Sequence, residues 1–213
     1  MRMALLGPPG CGKGTQGAAL RERFGSAHVS TGELLRAAVK DESELGLAAA
    51  AVMAEGKLVP DDLVLGLVEE QLNGHGRDNY LLDGFPRTLA QASAFDTASD
   101  NGSYELEHVV ALDVPEAELV RRLCGRRSCV DCGLLYHLEF RPPSRQGVCD
   151  ACEGTLEQRA DDVEESVRSR LGIYRDQTAP LLGFYGEKGI LNKIDGTGNP
   201  SDVTERILEA LGA

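Results

Sequence analysis

The chain has 213 residues, 42% of them hydrophobic and 26% charged, which is enough apolar material for one sizeable core with small insertions. Its net charge of −12 argues against a general nucleic-acid binder, which needs a surplus of Lys and Arg. No apolar run approaches the ~20 residues that span a bilayer. The opening residues read as a strand and not as a secretory signal, so the expected compartment is the cytoplasm, with no membrane partner. Five lysines stand beside seventeen arginines. The planar arginine fork suits phosphate recognition, although codon bias would give the same count.

Met3 to Leu6 is an apolar run that reads as a buried strand. Gly7-Pro8-Pro9-Gly10-Cys11-Gly12-Lys13-Gly14-Thr15 follows at once, and a helical pattern continues to Phe24. Strand, glycine-rich loop and helix, in that order, predict a phosphate loop. Glycines let several backbone N–H groups converge on one point, and the positive end of the helix dipole faces the same spot. Lys13 adds a mobile charge able to follow a phosphate, and Thr15 takes the hydroxyl position that usually follows the lysine directly. The plainer alternative is a βα turn with no ligand. The buried strand before the loop and the Lys-Gly-Thr after it favour phosphate.

Residues 27–30 make a short second strand. Thr31 is placed to cap the following helix, whose apolar positions are Leu34, Leu35, Ala38 and Val39, and Arg36 lies near the same side. An alanine-rich helix over 45–53 is ended by Gly56, and Pro60-Asp61 starts another through Leu72. Residues 30–59 thus form a helical excursion that leaves the sheet and returns to it. The third strand, 80–83, finishes on Asp83 and runs into Gly84-Phe85-Pro86-Arg87-Thr88. A carboxylate at the C-terminal end of a buried parallel strand sits where α/β folds bind ligands. Beside a phosphate loop it can hold Mg²⁺ through water. Arg87, on a turn that Pro86 stiffens, is ready to grip a phosphate, and Gln91 stands one turn into the next helix.

Residues 7–15, 30–36, 57–62 and 81–91 together resemble the adenylate kinase family, the nucleoside monophosphate kinases that interconvert ATP, AMP and ADP. The resemblance implies AMP against Thr31, Arg36, Lys57, Leu58, Val59, Gly84, Phe85, Pro86, Arg87 and Gln91, with Gln91 reading the adenine edge. It implies ATP on Gly10, Cys11, Gly12, Lys13, Gly14 and Thr15. It makes 30–59 the mobile AMP-binding domain and the chain a monomer.

The fourth strand, 108–114, is nearly all apolar and so buried on both faces. Pro115-Glu116 opens a helix with Arg121, Arg122, Arg126 and Arg127 at its far end, where the dipole favours cations. By resemblance, Arg122 packs on the ATP adenine and Arg126 reaches its phosphates. An insertion over 125–162 then carries Cys129-Val-Asp-Cys132 and Cys149-Asp-Ala-Cys152, with sixteen residues between the pairs. That spacing fits a four-cysteine zinc site. Cytosolic thiols are kept reduced, and four thiolates leave a tetrahedral Zn²⁺ no open position, so the metal is expected to be structural; Fe²⁺ or Co²⁺ suits the same ligands. The apolar content between the pairs is too small for an independent core, and a metal supplies that cohesion. His137 is a competing ligand by position, but Leu135, Tyr136 and His137 match the family's ATP-facing lid segment. Cys11 and Cys124 read as packing residues.

A long helix is expected from about 159 to 185, with Asp161 and Asp162 at its start. Arg159 and Arg170 match two family arginines that close on the phosphates, while Arg168 faces solvent. Residues 190–196 form the fifth strand and its turn, Gly198 lies near the adenine by resemblance, and Asn199-Pro200 starts the last helix.

The expected fold is α/β, a phosphate-loop nucleoside monophosphate kinase with five parallel strands in the order 2-3-1-4-5. Its core comprises 1–29, 60–124 and 163–213, with an AMP-binding domain at 30–59 and a lid at 125–162. The implied reaction moves the γ-phosphoryl group of MgATP to AMP, giving two ADP and balancing the adenine nucleotides. Lys13, Arg87, Arg126, Arg159 and Arg170 would surround the migrating group, and Mg²⁺ would sit on the nucleotide phosphates and, through water, on Asp83. The rivals are a kinase for UMP or CMP, a nucleotide switch without catalysis, and a zinc-ribbon module for nucleic acid.

Overall fold

The chain's apolar runs pair into one parallel sheet. The structure is a computed structural model and describes residues 1–55, 57–75, 77–100 and 104–213. The first half of the chain runs β1 (Arg2–Leu6), α1 (Lys13–Phe24), β2 (Ala27–Ser30), α2 (Thr31–Lys40), α3 (Glu44–Ala54), α4 (Asp61–His75), β3 (Tyr80–Asp83) and α5 (Leu89–Asp100). It continues with β4 (His108–Asp113), α6 (Glu116–Cys124), β5 (Arg126–Cys129), β6 (Leu135–His137) and β7 (Leu156–Glu157). The last part is α7 (Glu164–Ile173), α8 (Leu181–Glu187), β8 (Leu191–Asp195) and α9 (Pro200–Leu211). The helix end expected at Gly56 lies outside the described residues.

The main sheet has the order β2-β3-β1-β4-β8, with every pair parallel, as the sequence predicts. Successive side chains of a strand point to opposite faces. Ala4 and Leu6 therefore join one core layer, with Leu82, Phe95 and Tyr185, while Met3 and Leu5 join the other, with Leu20, Leu81 and Ile207. Helices cover both faces, which is why the inner strands β1, β3 and β4 are mostly apolar, while the edge strands β2 and β8 are more mixed. The register sets Asp83 opposite both Leu5 and Ser30. The loops that leave β1, β2 and β3 consequently emerge level with one another, at the edge where α/β folds bind ligands.

Two expectations are corrected. The helix expected over 159–185 is broken into a 3-10 turn at Ala160–Asp162, then α7, a π segment at Tyr174–Thr178, and α8. Pro180 has no N–H with which to continue the ladder, and its ring crowds the turn before it. The ladder widens there, with Ala179 N–H donating to Tyr174 O at 2.8 Å. Arg126 and Arg127 do not extend α6, which ends at Cys124 with Gly125 as its C-cap; they open β5 of a small antiparallel sheet in the order β6-β5-β7. Among the described residues no helix is long and apolar enough to cross a membrane.

Candidate active site

The loop after β1 curls into α1 through left-handed glycines. Gly7 has φ of 146°, and a Cβ there would stand 2.7 Å from Cys11 Sγ and 2.8 Å from Leu112 O, so no larger residue fits. Gly12 is the N-cap of α1, which has neither a side-chain cap nor an acidic residue in its first turn. The first N–H groups of α1 are thereby left for an external anion. Lys13 lies back over the loop, its Nζ donating to Gly7 O at 2.7 Å and Pro8 O at 3.0 Å.

The loop after β3 is tied down from three directions. The Thr31 hydroxyl donates to Gly84 O at 2.9 Å, Arg87 Nε donates to the same carbonyl at 2.8 Å, and the Thr178 hydroxyl donates to Arg87 O at 2.7 Å. Thr31 is thus not the cap of α2: Ser30 holds that position without a side-chain bond, and Thr31 is the first helical residue, its hydroxyl sharing the Gly84 carbonyl with Arg87 instead. Gln91 is 2% exposed, with Oε1 accepting from Arg87 N–H at 2.7 Å and Nε2 donating to Asp61 Oδ1 at 2.6 Å. Thr88 Oγ1 donates to Asp61 Oδ2 at 2.9 Å and accepts from Gln91 N–H at 3.1 Å. Asp61 and Thr88 were not among the expected site residues. The sequence marks Asp61 only as a helix start within 57–62, and Thr88 only through Thr88-Leu89-Ala90-Gln91, a capping-box spacing. Phe85 turns into the core, 1% exposed and edge-on to Phe95 at 5.4 Å.

These loops wall a cavity of ≈ 850 Å³ lined by Gly10, Cys11, Gly12, Lys13, Gly14, Thr15, Asp83, Gly84, Pro86, Arg122, Arg126, Leu135, Tyr136, Arg159 and Gly198. That is ample for a nucleotide. A smaller cavity is lined by Thr31, Lys57, Val59 and Gln91, together with the apolar Leu35, Met53 and Val64 that the motifs do not reveal. The two share Gly32, Arg36, Leu58, Arg87 and Arg170. The site therefore has two lobes joined at three arginines. The Lys57 side chain points outward to Glu55 at 2.6 Å.

Positive charge crowds this junction. Burial pushes the Arg87 guanidinium below its usual range and Arg170 pushes it further; burial and then Arg126 do the same to Arg36. Arg159 falls to about 10, through burial first and then through Arg126 and Arg36. Carboxylates balance only part of this. Asp162, fully buried, takes both prongs of Arg126 at 2.7 and 2.6 Å and one contact from Arg170 at 3.3 Å. Asp161 holds Arg170 at 2.9 Å. Glu118 holds Arg122 at 3.0 Å, while Arg122 Nη1 also donates to Gly196 O at 3.2 Å. A pocket built this way is short of negative charge until a polyanion enters.

The insertion gathers Cys129, Cys132, Cys149 and Cys152 so that their sulfurs all lie within 4.8 Å of one another, the one such group among the described residues. All four are free thiols. Each pair sits on a tight turn, closed by Gly133 N–H to Cys129 O at 3.0 Å and by Glu153 N–H to Cys149 O at 2.9 Å. A Cβ on Gly154 would stand 2.9 Å from Cys129 Sγ, so the turns approach too closely for a side chain there. Four converging thiols suit a soft tetrahedral ion with no open position. His137 is not among the ligands. Its Nδ1 accepts from Glu139 N–H at 3.0 Å and its ring stacks on Phe140 at 4.3 Å. The Tyr136 hydroxyl lies 3.5 Å from Cys149 Sγ and accepts from Asp150 N–H at 2.7 Å, so this residue joins the thiol cluster to the cavity wall.

A parallel sheet in this order, with a phosphate loop after its central strand, is the fold of the phosphate-loop nucleoside monophosphate kinases, and here it carries a two-lobed arginine-rich cavity. The profile of the adenylate kinase family matches residues 5–190. The chain is 47% identical to the adenylate kinase of Citrifermentans bemidjiense over 214 aligned residues, covering 100% of both proteins. It is 48% identical to that of Syntrophotalea carbinolica over 213 residues, 100% of this chain and 99% of the other. It is 46% identical to that of Carboxydothermus hydrogenoformans over 212 residues, 99% of each. The chain belongs to the adenylate kinase family.

Proposed function

We propose that the chain carries out the family's reaction, transfer of the γ-phosphoryl group from MgATP to AMP to give two ADP, with ATP in the larger lobe and AMP in the smaller. One observation carries this reading. The lobes meet at Arg36, Arg87 and Arg170, whose charges repel one another and are only partly matched by Asp161 and Asp162. Two nucleotides placed end to end bring their phosphates to that junction and supply the missing charge.

In this reading the N–H groups at the start of α1 hold the ATP phosphates, and Lys13 leaves the carbonyls of Gly7 and Pro8 to follow the group in transfer. Arg87, Arg126, Arg159 and Arg170 spread the charge that the migrating phosphoryl bears. An AMP phosphate oxygen attacks the γ-phosphorus in line while the bond to the β–γ bridging oxygen breaks, and placement with charge dispersal is the main demand, so no general base is required. Mg²⁺, when bound to the nucleotide phosphates and through water to Asp83, neutralises part of their charge. Thr31, Arg36, Leu58, Val59, Arg87 and Gln91 hold AMP, with Gly84 and Pro86 meeting it from the wall of the larger lobe and Phe85 anchoring their loop in the core; Arg122, Leu135, Tyr136 and Gly198 flank the ATP base.

Residues 30–59 and 125–162 act as two covers on the core of 1–29, 60–124 and 163–213, and their closure keeps water from the phosphoryl group. Support comes from Lys40, whose Nζ donates to Val130 O at 3.4 Å and Asp131 O at 3.5 Å, so that the two covers touch. The four cysteines hold a structural Zn²⁺, with Fe²⁺ or Co²⁺ as substitutes, and the enzyme works as a cytoplasmic monomer. The test is a coupled assay of ATP with AMP, repeated with UMP, CMP and GMP. AMP is expected to be the preferred acceptor by a wide margin; equal or better use of UMP or CMP overturns the assignment.

A further inference from the structure

The amide of Gln91 is pinned at both ends, and the two pins agree. The backbone N–H of Arg87 can only donate, so it must meet Oε1, as it does at 2.7 Å. The Asp61 carboxylate only accepts, so it must meet Nε2, as it does at 2.6 Å. Turning the amide over would set N–H against N–H and oxygen against oxygen. Asp61 cannot swing away to relieve this, because its other oxygen accepts the Thr88 hydroxyl at 2.9 Å, and Thr88 is itself fixed by Gln91 N–H at 3.1 Å. Neither lobe of the site is lined by Asp61, whereas Gln91 lines the smaller one.

With both pins made, Gln91 has one Oε1 lone pair and one Nε2–H left to offer. Side by side in that order, they complement a base edge with an exocyclic N–H next to an unprotonated ring nitrogen, the edge of a 6-aminopurine. The reversed amide would complement a carbonyl next to a ring N–H, the edge of a 6-oxopurine. We propose that Asp61 is a positioning residue that sets base choice at the monophosphate lobe, by locking the Gln91 amide in the orientation that accepts a 6-aminopurine and refuses a 6-oxopurine. The inference rests on the reading that this lobe takes the acceptor nucleotide. A site whose buried polar groups are committed in advance discriminates strongly, because the wrong partner leaves them unpaired.

The experiment is steady-state kinetics of the full chain at saturating MgATP with AMP and with IMP as acceptors, for wild type, Asp61→Ala, Asp61→Ser and Asp61→Asn, with melting temperatures on the same samples. In Asp61→Ala the ratio of kcat/KM for AMP over IMP is expected to fall about tenfold or more, with KM for AMP raised and KM for MgATP unmoved. Asp61→Ser suits a helix start but is too short to reach Gln91, so it carries the same expectation should the alanine variant fail to fold. Asp61→Asn still offers an oxygen to Nε2 and is expected to keep the ratio within about threefold. A merely structural Asp61 would lower kcat/KM for both acceptors together and leave their ratio unchanged, which overturns the inference while the AMP kinase reading stands. A wild type that ignores AMP altogether overturns both.

Discussion

Arg87 shows how a single side chain is made ready before any ligand arrives. Its Nε is spent on Gly84 O at 2.8 Å, which aims the remaining prongs at the junction of the two lobes. Arg87→Lys keeps the charge but loses both the aiming bond and the fork, so kcat/KM is expected to fall by about a hundredfold; a near-normal rate would show that the fork does not grip phosphate. Lys13→Ala should fold normally and lose turnover by orders of magnitude, and activity within about tenfold of wild type, ~1.4 kcal/mol of barrier, would refute its role. Asp162→Ala removes the buried partner of Arg126 and Arg170, and urea melts should show a loss of about 3–5 kcal/mol. Lys13, Arg87 and the four cysteines were legible in the sequence because their types and spacing are rare outside such sites. Asp61 and Asp162 were not. A carboxylate near a helix start looks the same on paper whether it faces solvent, orients an amide or balances two buried arginines.

At the scale of elements, the lid has its own small cluster of Cys129, Tyr136, Cys149 and Leu156, and little else to hold it. A metal on its thiols would stabilise the folded state by mass action. Chelation, or Cys129→Ser, should lower the melting temperature while much of the turnover survives at moderate temperature, because Arg126 and Arg159 flank the thiols without joining them. Cys11→Ser and Cys124→Ser should leave metal content unchanged. If chelated enzyme stays folded, loses all turnover and regains it with metal, the ion belongs to the chemistry. The inner strands β1, β3 and β4 could be read from their apolar runs, because burial on both faces leaves a nearly unbroken signature, whereas the order of the five strands followed from the family resemblance. The strands β5, β6 and β7 left none: each has two to four residues, largely polar, and its place is set by the thiol turns. The break in the helix from Glu164 to Glu187 was marked only by Pro180, and its width depends on the neighbouring turn.

For the molecule as a whole, a site short of negative charge is completed by its ligands. ATP at a hundred times its Kd should add about 2.7 kcal/mol of stability, a rise of roughly 5–10 °C in melting temperature for a chain of this size. The sheet order also has a bearing on how the chain is born. The strand made first, β1, is the middle one, and it waits for β3 and β4 before either side is paired. Chains emerge at about 5–20 residues per second, so N-terminal parts can begin to organise first. A nascent chain that has reached residue 190 already owns every lining residue of the smaller lobe, from Thr31 to Arg170. It still lacks Gly196, Gly198, Asn199 and Pro200, which wall the larger one. It also lacks α9, which secures α1 through Gln16 Nε2 to Pro200 O at 2.9 Å and the Thr204 hydroxyl to Gln16 Oε1 at 2.7 Å. On the ribosome the phosphate loop is among the first things written and the last to be fastened, and the monophosphate lobe has all its parts before the triphosphate lobe does.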